Sequence, residues 1–180
     1  MTRKASHILF GLIVAYIIWA HGENGFYWSQ SIIIISILAY NWAGRNLDLS
    51  FIKKAFESIN SVLERKEIRI AGEAAILFSS SIMMVYWLLG KDNAMIASIV
   101  WGLGDGMCSI VGGYFKRKEK SIEGVISFVV FSFIGLLFVI SPERAAMIAV
   151  FSALVEYFTK SMDDNITVPI GAGIIARLLG

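Results

Sequence analysis

Long apolar runs dominate this chain and leave few folds open to it. Seven occur, at roughly residues 6–20, 26–43, 71–89, 94–115, 122–140, 145–159 and 166–179. A helix that crosses a bilayer needs about 20 mostly apolar residues. The pattern therefore predicts an all-α, polytopic membrane protein of about seven transmembrane helices, built as a single integral membrane domain over residues 1–180. Composition agrees. The chain is 57% hydrophobic and 17% charged, against about 45–50% and 25% for soluble domains. That balance excludes a secreted disulfide scaffold, a disordered tail and a nucleic-acid-binding arm, so no nucleic acid is expected as a partner. Cys108 is the one cysteine and cannot form an internal disulfide. The first run follows Arg3 and Lys4, as a signal peptide would, but no small-residue cleavage site precedes a polar domain. It reads as a retained helix.

The basic residues give the expected orientation. With the loops assigned alternately to two sides, 13 of the 16 Lys and Arg residues fall on the side of the N-terminus; Lys91, Arg144 and Arg177 fall on the other. Basic loops stay cytoplasmic during insertion, which predicts a cytoplasmic N-terminus and an outside C-terminus. Segment 44–70 is different: it alternates charges such as Lys53, Lys54, Glu57 and Glu64 with Phe51, Ile52, Phe56 and Ile59 at near-helical spacing. It is expected to be a cytoplasmic amphipathic helix, lying on the membrane surface or packed on the bundle.

A charge within the bilayer costs several kcal/mol or more unless it is solvated, paired or bound. Acids inside or beside apolar runs therefore mark candidate function. Asp105 lies in the middle of the fourth run, within Gly102-Leu103-Gly104-Asp105-Gly106. Alternating glycines weaken a helix by about 1 kcal/mol each, which predicts a broken helix at a hydrated cavity; close helix packing is the other reading of the glycines. Lys120 and Glu123 lie at the mouth of the fifth run, where Ser121 is placed to cap the helix and its N-terminus to face an anion. Lys116 to Lys118 read as a solvated turn. Glu156 sits one turn inside the sixth run, where it can pair with Lys160 at i+4 or serve a site. Asp163, Asp164 and Asn165 precede the last run, and capping accounts for only one of the two acids. His7 is placed near the cytoplasmic face, as a structural hydrogen-bonder or a proton acceptor. The large Phe, Trp and Ile side chains read first as lipid contacts.

Hard oxygen ligands without His or Cys partners suit Mg²⁺ held together with substrate phosphates. With Lys120 nearby, the parts of a phosphoryl-transfer site are present, although neither the kinase glycine-rich motif nor a P-loop occurs.

Gly104-Asp105-Gly106 through Gly112, Lys120-Ser121-Ile122-Glu123-Gly124, Glu156 and Asp164-Asn165-Ile166-Thr167-Val168-Pro169 resemble, in that order, the dolichol kinase and phytol kinase family. Arg3-Lys4 followed by His7 looks like the family's opening. These are integral membrane enzymes that use CTP to phosphorylate a lipid alcohol, distantly related to phosphatidate cytidylyltransferases. Two departures stand out: Gly113-Tyr114-Phe115-Lys116 lacks the family's second glycine, and Gly106 is followed by the bulky Met107. The resemblance implies Asp105, Glu123 and Asp164 as Mg²⁺ ligands. It implies Lys120, Ser121, Asn165 and the backbone near Gly104, Gly106 and Gly124 as contacts for CTP. Asp105, Lys120, Glu123, Glu156, Asp164 and His7 are then the catalytic candidates, one of them accepting the hydroxyl proton. The expectation is a CTP-dependent kinase of a polyprenol, dolichol or other isoprenoid alcohol, multi-pass in the membrane, facing the cytoplasm, with membrane lipids and a homo-oligomer as further possible partners. Alternatives are a cytidylyltransferase making a CDP-lipid, a CTP-dependent diacylglycerol kinase and, outside enzymes, a small ion-coupled transporter.

Overall fold

The computed structural model describes residues 2–46, 72–114, 121–159 and 162–180. Six helical runs and no strand occur among them: α1 Thr2–Asn46, α2 Glu73–Leu89, α3 Lys91–Tyr114, α4 Ile122–Leu136, α5 Pro142–Phe158 and α6 Asp164–Leu178. The segment expected as an amphipathic helix falls almost wholly outside the described residues, as do Lys120 and Lys160.

The first two apolar runs of the sequence form two helices that meet directly at Gly22 within Thr2–Asn46. Gly22 has φ 63° and ψ −157°, a region that only glycine enters at low cost. A second positive-φ glycine, Gly90 (φ 92°), forms the whole link between α2 and α3: its N–H donates to Tyr86 O and closes α2. Asn93 then reaches back, its Nδ2 donating to Leu89 O at 2.7 Å.

Among the described residues, two runs are long and apolar enough to cross a membrane, Ala5–Ala43 and Lys91–Tyr114. α4 and α6 have 15 residues each and α2 and α5 have 17. At 1.5 Å per residue these span about 22–25 Å, somewhat less than a hydrocarbon core of about 30 Å.

α3 is the central element and packs against each of the other five. α6 lies against α2, α3 and α5, and α4 lies between α3 and α5. One continuous core joins Val14, Ile18, Phe78, Trp101, Phe128, Ile148 and Val168. The outside is greasy as well: Trp28, Trp87 and Phe138 are more than 70% exposed. Asp105, Glu156, Asn165 and several serines are instead buried. Apolar outside and polar within suits a chain whose solvent is lipid, and together with the two long spans it supports association with a membrane.

The expected break at Asp105 does not occur. α3 runs on without interruption, but Val100–Asp105 is π-helical between α-helical Lys91–Ile99 and Gly106–Tyr114. The wider turn keeps the backbone hydrogen-bonded, which removes the need for water at a broken end. Single π turns of this kind recur at functional sites.

Candidate functional site

The site is assembled at one helix crossing and one helix junction. At the crossing, α1 and α3 touch backbone to backbone. A Cβ added to Gly11 would lie 2.6 Å from Gly102 Cα, and one on Gly106 would lie 2.6 Å from Ile8 Cγ1. Small residues allow such an approach, and packing without a hydrophobic driving force depends on it in lipid. The crossing brings His7, one turn before Gly11, against the π turn. His7 Nδ1 lies 3.5 Å from Asp105 Oδ2, within ion-pair range but without hydrogen-bond geometry. The imidazole also stacks on Trp101, with centroids 4.6 Å apart and planes at 28°.

At the junction, α5 ends and α6 begins. Asp163 is the N-cap of α6, and its Oδ1 accepts from Asn165 N at 2.8 Å and from Asn165 Nδ2 at 2.6 Å. That cap sets the rotation of the helix and leaves the next residue, Asp164, for another task. Carboxylate oxygens of Asp105, Glu156 and Asp164 lie within 4.8 Å of one another. Asp105 and Glu156 are buried, and Asp164 is half-buried. Three acids from α3, α5 and α6 thus converge in a protein whose exterior is apolar. Asn165 Oδ1, also buried, has no hydrogen-bond donor.

The trio fits a hard divalent cation. Bonds of about 2.1 Å place ligand oxygens roughly 3–4 Å apart around Mg²⁺, so the observed spacing needs only a small closure. Three carboxylates held together without a cation would repel strongly.

The structure divides the sequence candidates differently from the expectation. Glu156, expected as a catalytic residue or a partner of Lys160, stands with Asp105 and Asp164; Glu123, expected as the third ligand, is half-buried and outside the trio. Ser121 caps α4 as its position foretold, with Gly124 N donating to its Oγ at 3.0 Å. The glycines follow the packing alternative. A Cβ at Gly104 would run into Ser132 Oγ and the Phe128 ring, and one at Gly124 would lie 3.2 Å from Cys108 Sγ. Protein, not open space, fills the side of Gly102, Gly104, Gly106 and Gly124 where a side chain would stand, while Gly113 faces open space.

Sequence reasoning missed Gly11 and Trp101. Gly11 has no signal beyond being one small residue in an apolar run. Trp101 reads as a lipid contact, yet it is 1% exposed. Its position four residues before Asp105, one turn away on the same helix, was the available clue.

No family model matches the chain, and no solved structure matches it. Among curated proteins, "Probable phytol kinase 1, chloroplastic" of Glycine max is 26% identical over 98% of this chain and 66% of its own length. "Phytol kinase" of Synechocystis sp. is 31% identical over 46% of this chain and 42% of its own length. The matches thus span less than two thirds of either relative. The order of acids and glycines along the chain had already suggested this resemblance, and the comparisons support it: the chain is similar to phytol kinases.

Proposed function

We propose that this protein is a CTP-dependent kinase of a membrane-dissolved isoprenoid alcohol, working at a Mg²⁺ site on the cytoplasmic side of a seven-crossing bundle. The observation that carries the reading is the convergence of Asp105, Glu156 and Asp164 from three helices within 4.8 Å. The similarity to phytol kinases supports the kind of substrate. The 13-to-3 distribution of basic residues supports the sidedness.

In this reading the trio, with Asn165 beside it, holds the cation. Magnesium there supplies positive charge against the nucleotide phosphates. Lys120, which precedes Ser121 in the sequence, contacts phosphate oxygens, and the α4 N-terminus behind Ser121 offers them free N–H groups. The lipid hydroxyl lies in line with the terminal phosphorus. Its oxygen forms the new P–O bond as the bond to the leaving diphosphate breaks. The hydroxyl proton passes to a carboxylate of the site or to His7. The products are a lipid monophosphate and CDP. Positioning and charge stabilisation carry most of such a transfer.

The test is a matrix of nucleotides against alcohols with purified protein and Mg²⁺, read by mass spectrometry. A lipid monophosphate formed with CTP, lost in Asp105→Asn and slowed in Glu156→Gln unless Mg²⁺ is raised, is the expected result. Pyrophosphate release with cytidine retained on the lipid would assign a cytidylyltransferase instead. No product with any nucleotide would end the kinase reading.

A further inference from the structure

We propose that Trp101 is a positioning residue that fixes the plane of His7 against Asp105; the proposal rests on the kinase reading above for its kinetic consequence, but not for its geometry. Trp101 carries two stacked rings. His7 lies at 4.6 Å and 28° and Phe78 at 3.8 Å and 19°. Rings at such centroid distances cannot share one face of an indole without overlapping, so they occupy opposite faces. Trp101 is therefore the middle layer of a three-ring pile, with Phe10 set edge-on to both Phe78 and Trp101 at 5.5 and 6.4 Å.

The pile is anchored from the core outward. Phe78 is fully buried, Trp101 is 1% exposed, and His7 is the outermost ring. The indole N–H has no acceptor, although a buried Trp usually finds one. Ring packing, and no hydrogen bond, holds the indole in place. An apolar ring would avoid the cost of that unpaired donor if filling space were the residue's sole task.

The π turn explains why one helix can place two groups on one imidazole. Trp101 and Asp105 both lie within Val100–Asp105. Its wider turn presents the indole to the face of His7 and the carboxylate to its Nδ1. The imidazole has two torsions to lose. The stack fixes its plane, and Asp105 then meets one defined edge. Removing the stack frees the ring to rotate while leaving every polar group of the site in the chain.

The chain has two histidines, His7 and His21, so the ring signals of His7 can be assigned in histidine-labelled protein by comparison with a His21→Asn variant. Stacking on an aromatic face moves those signals upfield. Wild-type and Trp101→Phe proteins should show the upfield His7 signal, and Trp101→Leu should lose it. In steady-state assays Trp101→Leu should lower kcat by roughly tenfold to a hundredfold, the scale expected of a misplaced reacting group, with KM for the nucleotide nearly unchanged. Trp101→Phe should recover most of the rate. A His7 signal at its ordinary position in wild-type protein would overturn the proposal, and so would a Trp101→Leu enzyme with unaltered kcat. Should Trp101→Leu fail to fold, the wild-type and Trp101→Phe spectra still decide. An inactive wild-type protein with an upfield His7 signal would refute the kinase reading and leave the ring pile standing.

Discussion

Gly11 of α1 lies against Gly102 of α3 so closely that a methyl group on Gly11 would stand 2.6 Å from Gly102 Cα, and one on Gly102 would stand 3.1 Å from Gly11 Cα. The two residues are 91 positions apart in the sequence, yet their contact decides whether the start of α1 reaches the acids. Overpacking of this kind costs about 1–3 kcal/mol. Gly11→Ala and Gly102→Ala should each lower the unfolding temperature in detergent. Each should also reduce phosphotransfer by more than the loss of folded protein explains, because separating the backbones draws His7 away from Asp105.

Neighbouring acids at the start of α6 should behave in opposite ways. Asp163 accepts from Asn165 N as the N-cap, so Asp163→Ala should cost about 1 kcal/mol of stability. Asp164 stands with Asp105 and Glu156. Asp164→Asn relieves repulsion between carboxylates and should leave stability equal or raised, while activity falls by at least a hundredfold, a scale typical of removing one preorganised charge-stabilising group. Thermal unfolding and initial rates measured on the same preparations check both outcomes.

Metal removal should act through the same trio. Chelation with EDTA should abolish activity, and Mg²⁺ should restore it. In Glu156→Gln the Mg²⁺ concentration for half-maximal rate should rise by roughly tenfold to a hundredfold, the usual cost of disturbing a site's ligand environment. A titration of rate against free Mg²⁺ reads this directly.

The cap of α4 offers a test of structure alone. Ser121 Oγ accepts from Gly124 N, and both residues are buried. Ser121→Ala should cost about 1 kcal/mol, and Ser121→Asp should retain the cap. Hydrogen exchange at the first turn of α4 should rise in the alanine variant and remain slow in the aspartate variant.

The sequence made legible whatever depends on local pattern. The positions of the seven apolar runs, the Ser121 cap and the capping of α6 by one of two adjacent acids all follow from neighbours in the chain. Asp105 and Glu156 stood out because ionisable groups are costly in an apolar run. Which acid joins which was not legible, since Glu123 and Glu156 are both acids near a helix end and only helix packing separates them. Trp101 was hidden for a related reason: in a chain this greasy, an aromatic residue facing lipid and one facing the core look alike. Gly22 lies between two apolar runs, and nothing local shows that the helix resumes directly after a single positive-φ residue.

The π turn of α3 has a consequence for what a single deletion would do. Removing one residue between Trp101 and Asp105 would let ordinary α geometry close over the gap with no hydrogen bond lost. The halves on either side would keep nearly the faces they present now, because a wide turn takes up one extra residue without rotating the helix beyond it. The change would be confined to the turn itself. There the spacing between Trp101 and Asp105 would shorten by one residue, and the two could no longer meet the face and the edge of one imidazole.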